Sequence, residues 1–350
     1  MCRKRKRFVG MIMAVTMFLG MSVMVSAEEQ PPVMSEEEKA FLSEALYGVE
    51  VQKEMLGLAD VDFSELCLGE AFQTYVYRDE EFEPGLRIYP VLDHGKLILW
   101  AIETDETVQI TQALVEEVSR AVENDQDFTI VYDRNSAYLY TDNQFTLLAV
   151  SAVEDTTRSV LNVESLNVSG LETASFSRHT VWVYEPAAAR TPVYYGCDVK
   201  FVSQNPPSYI CWAATIACIA NYKYGDLLTA VTVAQGYYGT SDYDKTINDS
   251  FAPDILAKYR LSYVYEDQVP SNNVILENIK DGYPLYTSWV APGVRHAVCL
   301  YGINSVSGLV YVMDPEFGFA TASYSGGSYT YYSGYGKVTL TLNRAVCHSW

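Results

Sequence analysis

Gln204-Asn205-Pro206-Pro207-Ser208-Tyr209-Ile210-Cys211-Trp212-Ala213-Ala214-Thr215 sets a cysteine where an irregular, Pro-rich segment gives way to an apolar run. From Cys211 the chain continues Trp-Ala-Ala-Thr-Ile-Ala-Cys-Ile-Ala-Asn-Tyr, apolar on all sides and without Gly or Pro until Gly225, which predicts a buried helix. A thiol in the first turn of such a helix faces unpaired backbone N–H groups and the positive end of the dipole, and both favour thiolate. Cys211 is therefore the candidate nucleophile.

A thiolate acting in acyl transfer needs a base, a group that orients the base, and donors for the developing oxyanion. Gln204, seven residues upstream, can bring a side-chain N–H beside the backbone N–H of Cys211. Downstream, Ala291-Pro292-Gly293 is a loop, and the β-branched, apolar run from Val294 to Ile303 places His296 at the opening of a strand. The next strand, Gly308 to Met313, ends at Asp314-Pro315. A hairpin centred near Val306 sets Asp314 roughly opposite Val298, within one or two steps of about 3.3 Å from His296. Singly, Asp314 reads as a turn former, Gln204 as a surface residue and His296 as a strand histidine. In this order and spacing they read as one constellation.

The order Gln, Cys-Trp at a helix start, His opening a strand, and an acid ending the next strand resembles the papain-like cysteine peptidase superfamily, over roughly residues 193–345. Asp314-Pro315-Glu316-Phe317-Gly318 is similar to the third-member context of bacteriocin-leader-processing peptidases, and Cys-Trp-Ala-Ala to secreted, staphopain-like bacterial peptidases. The Gly-Ser that precedes the nucleophile in papain is replaced by Tyr209-Ile210. The resemblance implies nucleophile, general base, orienter and oxyanion donor roles for Cys211, His296, Asp314 and Gln204. It also implies an α+β catalytic domain, helical half first and antiparallel sheet half second, with substrate held between them. Trp212, Trp289 and the Gly293 region are the expected cleft walls, with plain core packing the other reading of the two indoles.

The chain is 350 residues long and opens with the unbroken basic run Arg3 to Arg7, the uncharged apolar run Phe8 to Val25, and Val25-Ser26-Ala27. This is a secretory signal over 1–27 with cleavage expected after Ala27, an uncleaved anchor helix being the rival reading. Cleavage leaves no stable membrane span and predicts a secreted or cell-surface protein. Glu28 to Arg190 carries 32 acidic against 10 basic residues, while Thr191 to Trp350 carries 12 against 9. Each stretch is long enough for its own core, so two units are expected, and the acidity makes nucleic acid an improbable partner. Residues 28–151 read as an acidic α/β unit. A helix follows the capping pattern Ser35 to Glu38, strands fall at Phe72–Tyr77, Leu86–Val91 and Leu97–Ile102 with turns at Glu83-Pro84-Gly85 and His94-Gly95, a helix spans Ile110–Val122, and further strands lie near Phe128–Tyr132 and Ala137–Tyr140. Its His94 and Cys67 read as structural.

Residues 152–190 read as a linker ending in the exposed-looking Pro186 to Pro192. A domain of this size ahead of an exported peptidase resembles a propeptide, and the resemblance implies that it serves the catalytic half, 191–350, as inhibitor or folding aid. A permanent substrate- or wall-binding module is the alternative. After Cys2 leaves with the signal, six cysteines remain. A Cys197–Cys347 bridge is plausible in an oxidising compartment, leaving Cys211 free. No Cys-x-x-Cys, His-rich or Asp-x-Asp-x-Asp spacing points to a metal or cofactor. The expected activity is cleavage of a peptide or protein substrate by a preproenzyme. A transglutaminase-like acyl transferase or amidase, and an inactive binding module, are the competing readings.

Overall fold

Polar side chains at tight turns and apolar side chains between them make this mostly a chain of hairpins. The structure, a computed structural model, describes residues 34–350 apart from 105–107, 125, 134–135, 151–165, 167, 169–170, 172, 176–179, 185–193, 205–208, 262, 267–269, 292–293, 326–327, 334–335 and 349–350. The segment 1–27, expected as a secretory signal, and the tip Pro186 to Pro192 lie outside the described residues. Helix α1 (Glu36–Val51) starts with three glutamates, which suit the positive end of its dipole, and buries Leu42, Ala45, Leu46 and Val49 along one stripe.

Strands β1 (Cys67–Leu68), β2 (Phe72–Arg78), β3 (Glu81–Asp93), β4 (Lys96–Glu103) and β5 (Val108–Thr111) follow. Then come α2 (Val115–Glu123), β6 (Asp127–Asp133), β7 (Ser136–Thr141) and β8 (Gln144–Val150). The strand order is β8–β7–β6–β2–β3–β4–β5, antiparallel except for the parallel β6–β2 pair. Two-residue turns at Asp79-Glu80, His94-Gly95 and Asp142-Asn143 all have positive φ, the geometry that matches the twist of the strands they join. One face packs against Val118, Ala121 and Val122 of α2, with the Phe72 ring edge-on to Trp100 and Phe128 at 5.4 and 5.5 Å.

Two segments of the acidic half depart from the pattern read in the sequence. Residues 110–111 are strand, and the helix begins at Val115, because Val108 to Thr111 are buried by pairing with β4 and need no helical partner face. The turn expected at Glu83-Pro84-Gly85 lies at Asp79-Glu80. Pro84 faces Tyr75 within β3, and Thr74 takes the Leu86 N–H with its hydroxyl where the register shifts.

Within 152–190, the short β9 (Ala174–Ser175) and β10 (Trp182–Val183) pair with β6 and β1 respectively. Tyr184, buried just after β10, donates its hydroxyl to Glu50 of α1 at 3.1 Å. The described parts of this segment thus lie back on the acidic half.

The remaining elements are β11 (Tyr194–Gly196), α3 (Cys211–Tyr224), α4 (Ala230–Tyr238), α5 (Ala252–Lys258), β12 (Tyr263–Glu266) and α6 (Asn272–Lys280). Six strands follow: β13 (Leu285–Ala291), β14 (Val294–Asn304), β15 (Leu309–Asp314), β16 (Gly318–Ser325), β17 (Ser328–Ser333) and β18 (Gly336–His348). Each pairs antiparallel with the next, and β18 returns to β13, so the six close on themselves as a barrel. α4 runs to Tyr238 and is capped by the Thr229 hydroxyl at its start. Helices first and antiparallel sheet second is the α+β order of a papain-like domain.

The two halves share one sheet. β17 covers β16 over Ala322–Ser325, and β5 takes the adjoining stretch of that edge, with Thr111 opposite Ala320. Residues 36–350 form one compact unit.

Candidate active site

The helix that carries the candidate nucleophile is placed by burial. Every residue of α3 from Trp212 to Ala220 is buried, and the helix packs on β14, β13 and α4. Cys211 at its first position is partly exposed, the one residue of the first two turns that is. Ile210 leaves the helix without a side-chain cap, and the Thr215 hydroxyl donates to the Cys211 carbonyl at 2.9 Å.

His296 is the third residue of β14, opposite Trp289 on β13. Cys299 faces Met313 across the β14–β15 hairpin, which carries Asp314 to the level of Val298. The carboxylate is fully buried, and its Oδ1 lies 3.0 Å from His296 Nε2. The same oxygen accepts the Glu316 N–H at 2.8 Å, a turn-closing bond that fixes the carboxylate before it meets the imidazole. Burial alone would push His296 down. The Asp314 carboxylate and the Cys211 thiol beside the ring outweigh it and hold the imidazole well above its ordinary value. With Nε2 on Asp314, Nδ1 is the nitrogen left for the thiol.

Gln204 is buried, and its backbone N–H donates to the Pro315 carbonyl at 2.9 Å, next to Asp314 in sequence. Its side-chain Oε1 is buried without a hydrogen-bond partner among the described residues. Cys211, His296 and Asp314 thus converge, and Gln204 is tied to the turn that Asp314 opens.

Residues 193–330 match the family described as papain-like cysteine protease AvrRpt2. That stretch is a papain-like cysteine peptidase domain. No curated protein matches the chain.

Within the peptidase domain the other cysteines differ from Cys211. Cys197 is a free thiol pushed up to about 12 by burial, so the expected Cys197–Cys347 bridge is absent; the Cys347 side chain lies outside what the structure describes. Cys299 is buried and held well above its ordinary value for the same reason, and Cys218 is buried with its thiol 3.2 Å from the Lys200 carbonyl. Cys211 alone of these stands beside a base.

The two indoles expected as cleft walls are buried instead. Trp212 is 2% exposed; it donates Nε1–H to the Lys245 carbonyl at 2.8 Å and meets Tyr237 and Tyr238 edge-on. Trp289 is fully covered, donates to Thr287 Oγ1 at 2.8 Å, and meets Tyr324 edge-on. Gly293 lies outside the described residues.

One residue close to the site was missed from the sequence. Asp244, on the loop after α4, accepts the Tyr209 N–H at 2.8 Å, two residues before the nucleophile. An exposed acid 33 residues past Cys211 gives no local signal of that contact. Among the described residues no group of three His, Cys, Asp or Glu side chains could hold a metal, and none of their helices is long and apolar enough to cross a membrane.

Proposed function

We propose that the protein is a secreted cysteine endopeptidase made as a proenzyme, exported by the signal at residues 1–27 and acting through Cys211, His296 and Asp314 with Gln204 as oxyanion donor. The Cys211 thiolate attacks a peptide carbonyl, and its negative oxygen is met by the Cys211 N–H and the Gln204 side-chain amide. The His296 imidazolium gives its proton to the leaving amine, which departs as the acyl-enzyme forms. His296 then takes a proton from water, the hydroxide attacks the thioester, and the carboxylic acid leaves with the thiolate restored. Asp314 holds the ring so that Nδ1 faces sulfur throughout. The acidic half is synthesised ahead of the peptidase as its pro-part, with the activating cut between Glu185 and Pro192.

The 3.0 Å bond between His296 and the buried Asp314 carries this reading. A buried carboxylate costs several kcal/mol to desolvate unless it is well partnered, so such a pair beside a partly exposed thiol is what cysteine-peptidase chemistry requires. The test is digestion of a denatured protein by the secreted chain and its Cys211→Ala variant, with new N-termini read by mass spectrometry. Internal cleavage by wild type alone is expected. Equal cleavage by both, or none by wild type after the linker is cut, overturns the proposal.

A further inference from the structure

We infer that the acidic half is not shed after processing but stays bound to the peptidase domain as a permanent second chain, held by the β5–β16 junction. This rests on the proenzyme reading above and changes what processing yields. β16 pairs with β15 along one edge from Gly318 to Ser323, and along the other edge β17 pairs only from Ala322 onward. The stretch Phe319 to Thr321 is therefore an open edge of the barrel, and the acidic half fills it. The Ile110 N–H donates to Thr321 Oγ1 at 2.8 Å, and Thr321 Oγ1 returns a bond to the Ile110 carbonyl at 3.3 Å. The Gln112 N–H donates to the Phe319 carbonyl at 3.1 Å. The Gln109 side chain reaches both Ser323 Oγ and the Thr330 carbonyl, at 3.1 and 2.9 Å.

These groups are interior: Gln109, Ile110, Thr111, Phe319, Ala320 and Thr321 are each at most 3% exposed. A second contact reinforces the first. Gly48 of α1 lies directly under Tyr311, so close that a Cβ there would sit 2.3 Å from the Tyr311 hydroxyl, and Asn304 Nδ2 donates to Glu44 at 3.4 Å. Departure of the acidic half would bare a sheet edge together with the Phe319 and Tyr311 rings, and an open apolar edge is a template for aggregation. A propeptide that only plugs a cleft leaves a finished surface behind, whereas this one supplies part of the sheet, five to seven residues beyond Asp314.

The experiment uses the full chain with a site for a sequence-specific protease inserted between Arg190 and Thr191. After complete cutting, size exclusion at low micromolar concentration should return both pieces in one peak at the intact elution volume. Hydrogen exchange should leave the Ile110 and Gln112 amides as protected as before the cut. Separation of the pieces, or loss of that protection, overturns the inference. Labelling of Cys211 by an irreversible peptide electrophile is read in the same fractions. Co-eluting pieces with no labelling would sink the peptidase reading alone, while labelled pieces that separate would sink only this inference.

Discussion

The acidic half and the peptidase half bury polar groups differently. In the acidic half no charged side chain among the described residues is fully buried, and two-residue turns at Asp79-Glu80, His94-Gly95 and Asp142-Asn143 carry much of the topology. In the peptidase half Asp314 is wholly buried and His296 nearly so, at 11% side-chain exposure. The first arrangement needs only hairpin chemistry and an apolar face. The second accepts a desolvation penalty, and it is tolerated because the Glu316 N–H and the imidazole are both aimed at one carboxylate oxygen. Substitutions in one half should therefore act on stability, and in the other on chemistry.

The largest expected effect is at Cys211. Cys211→Ala should lower kcat/KM by a factor of about 10³ or more, with a melting temperature close to wild type because the side chain is partly exposed. Asp314→Ala should cost about 10²-fold in kcat. Asp314→Asn should cost less and should move the alkaline limb of the pH–rate profile to lower pH. The sign follows from the carboxylate, which raises His296 above its ordinary 6.5, so without that charge the imidazolium loses its proton sooner. By the same linkage the charged pair adds stability below about pH 6.5, and that contribution fades as pH climbs through the raised folded value.

Asp244→Ala should lower kcat about 10-fold with KM little changed, if the bond to the Tyr209 N–H holds the approach to the nucleophile. Asp244→Asn keeps an accepting oxygen and should restore most of the rate; failure of Asn to rescue would point to charge rather than positioning. Across the junction, Gly48→Val should destabilise by about 1–3 kcal/mol, since its side chain must displace the Tyr311 ring, read as a lower melting temperature. The smallest effect belongs to Gly95→Ala in the acidic half, where φ is +80°. A loss of about 1–2 kcal/mol in stability, with kcat/KM unchanged at low temperature, is expected.

Much of this was legible where structure is local. The hairpin centred near Val306 puts Asp314 level with Val298, and the observed Cys299–Met313 register agrees on the side that faces His296. The bulge between Leu300 and Gly302 was not legible, because it answers to Tyr194 and Tyr311 packing against Gly302 from other elements. β5 reads in the sequence as the start of a helix because Ile110, Leu114 and Val118 recur at helical spacing, whereas its partner Ala320 is some two hundred residues away and leaves no mark on local periodicity. The indoles of Trp212 and Trp289 could be placed near the site from sequence, but whether a ring faces a cleft or the core is decided by what packs over it.

The most direct test of the central claim is alkylation by an irreversible peptide electrophile, followed by intact mass and peptide mapping, on wild type and Cys211→Ala side by side. One adduct per chain on Cys211, formed in wild type alone and more slowly in Asp314→Ala, is the expected result. Adducts on Cys218 or Cys197, equal labelling of both proteins, or no labelling of the cut chain would contradict it.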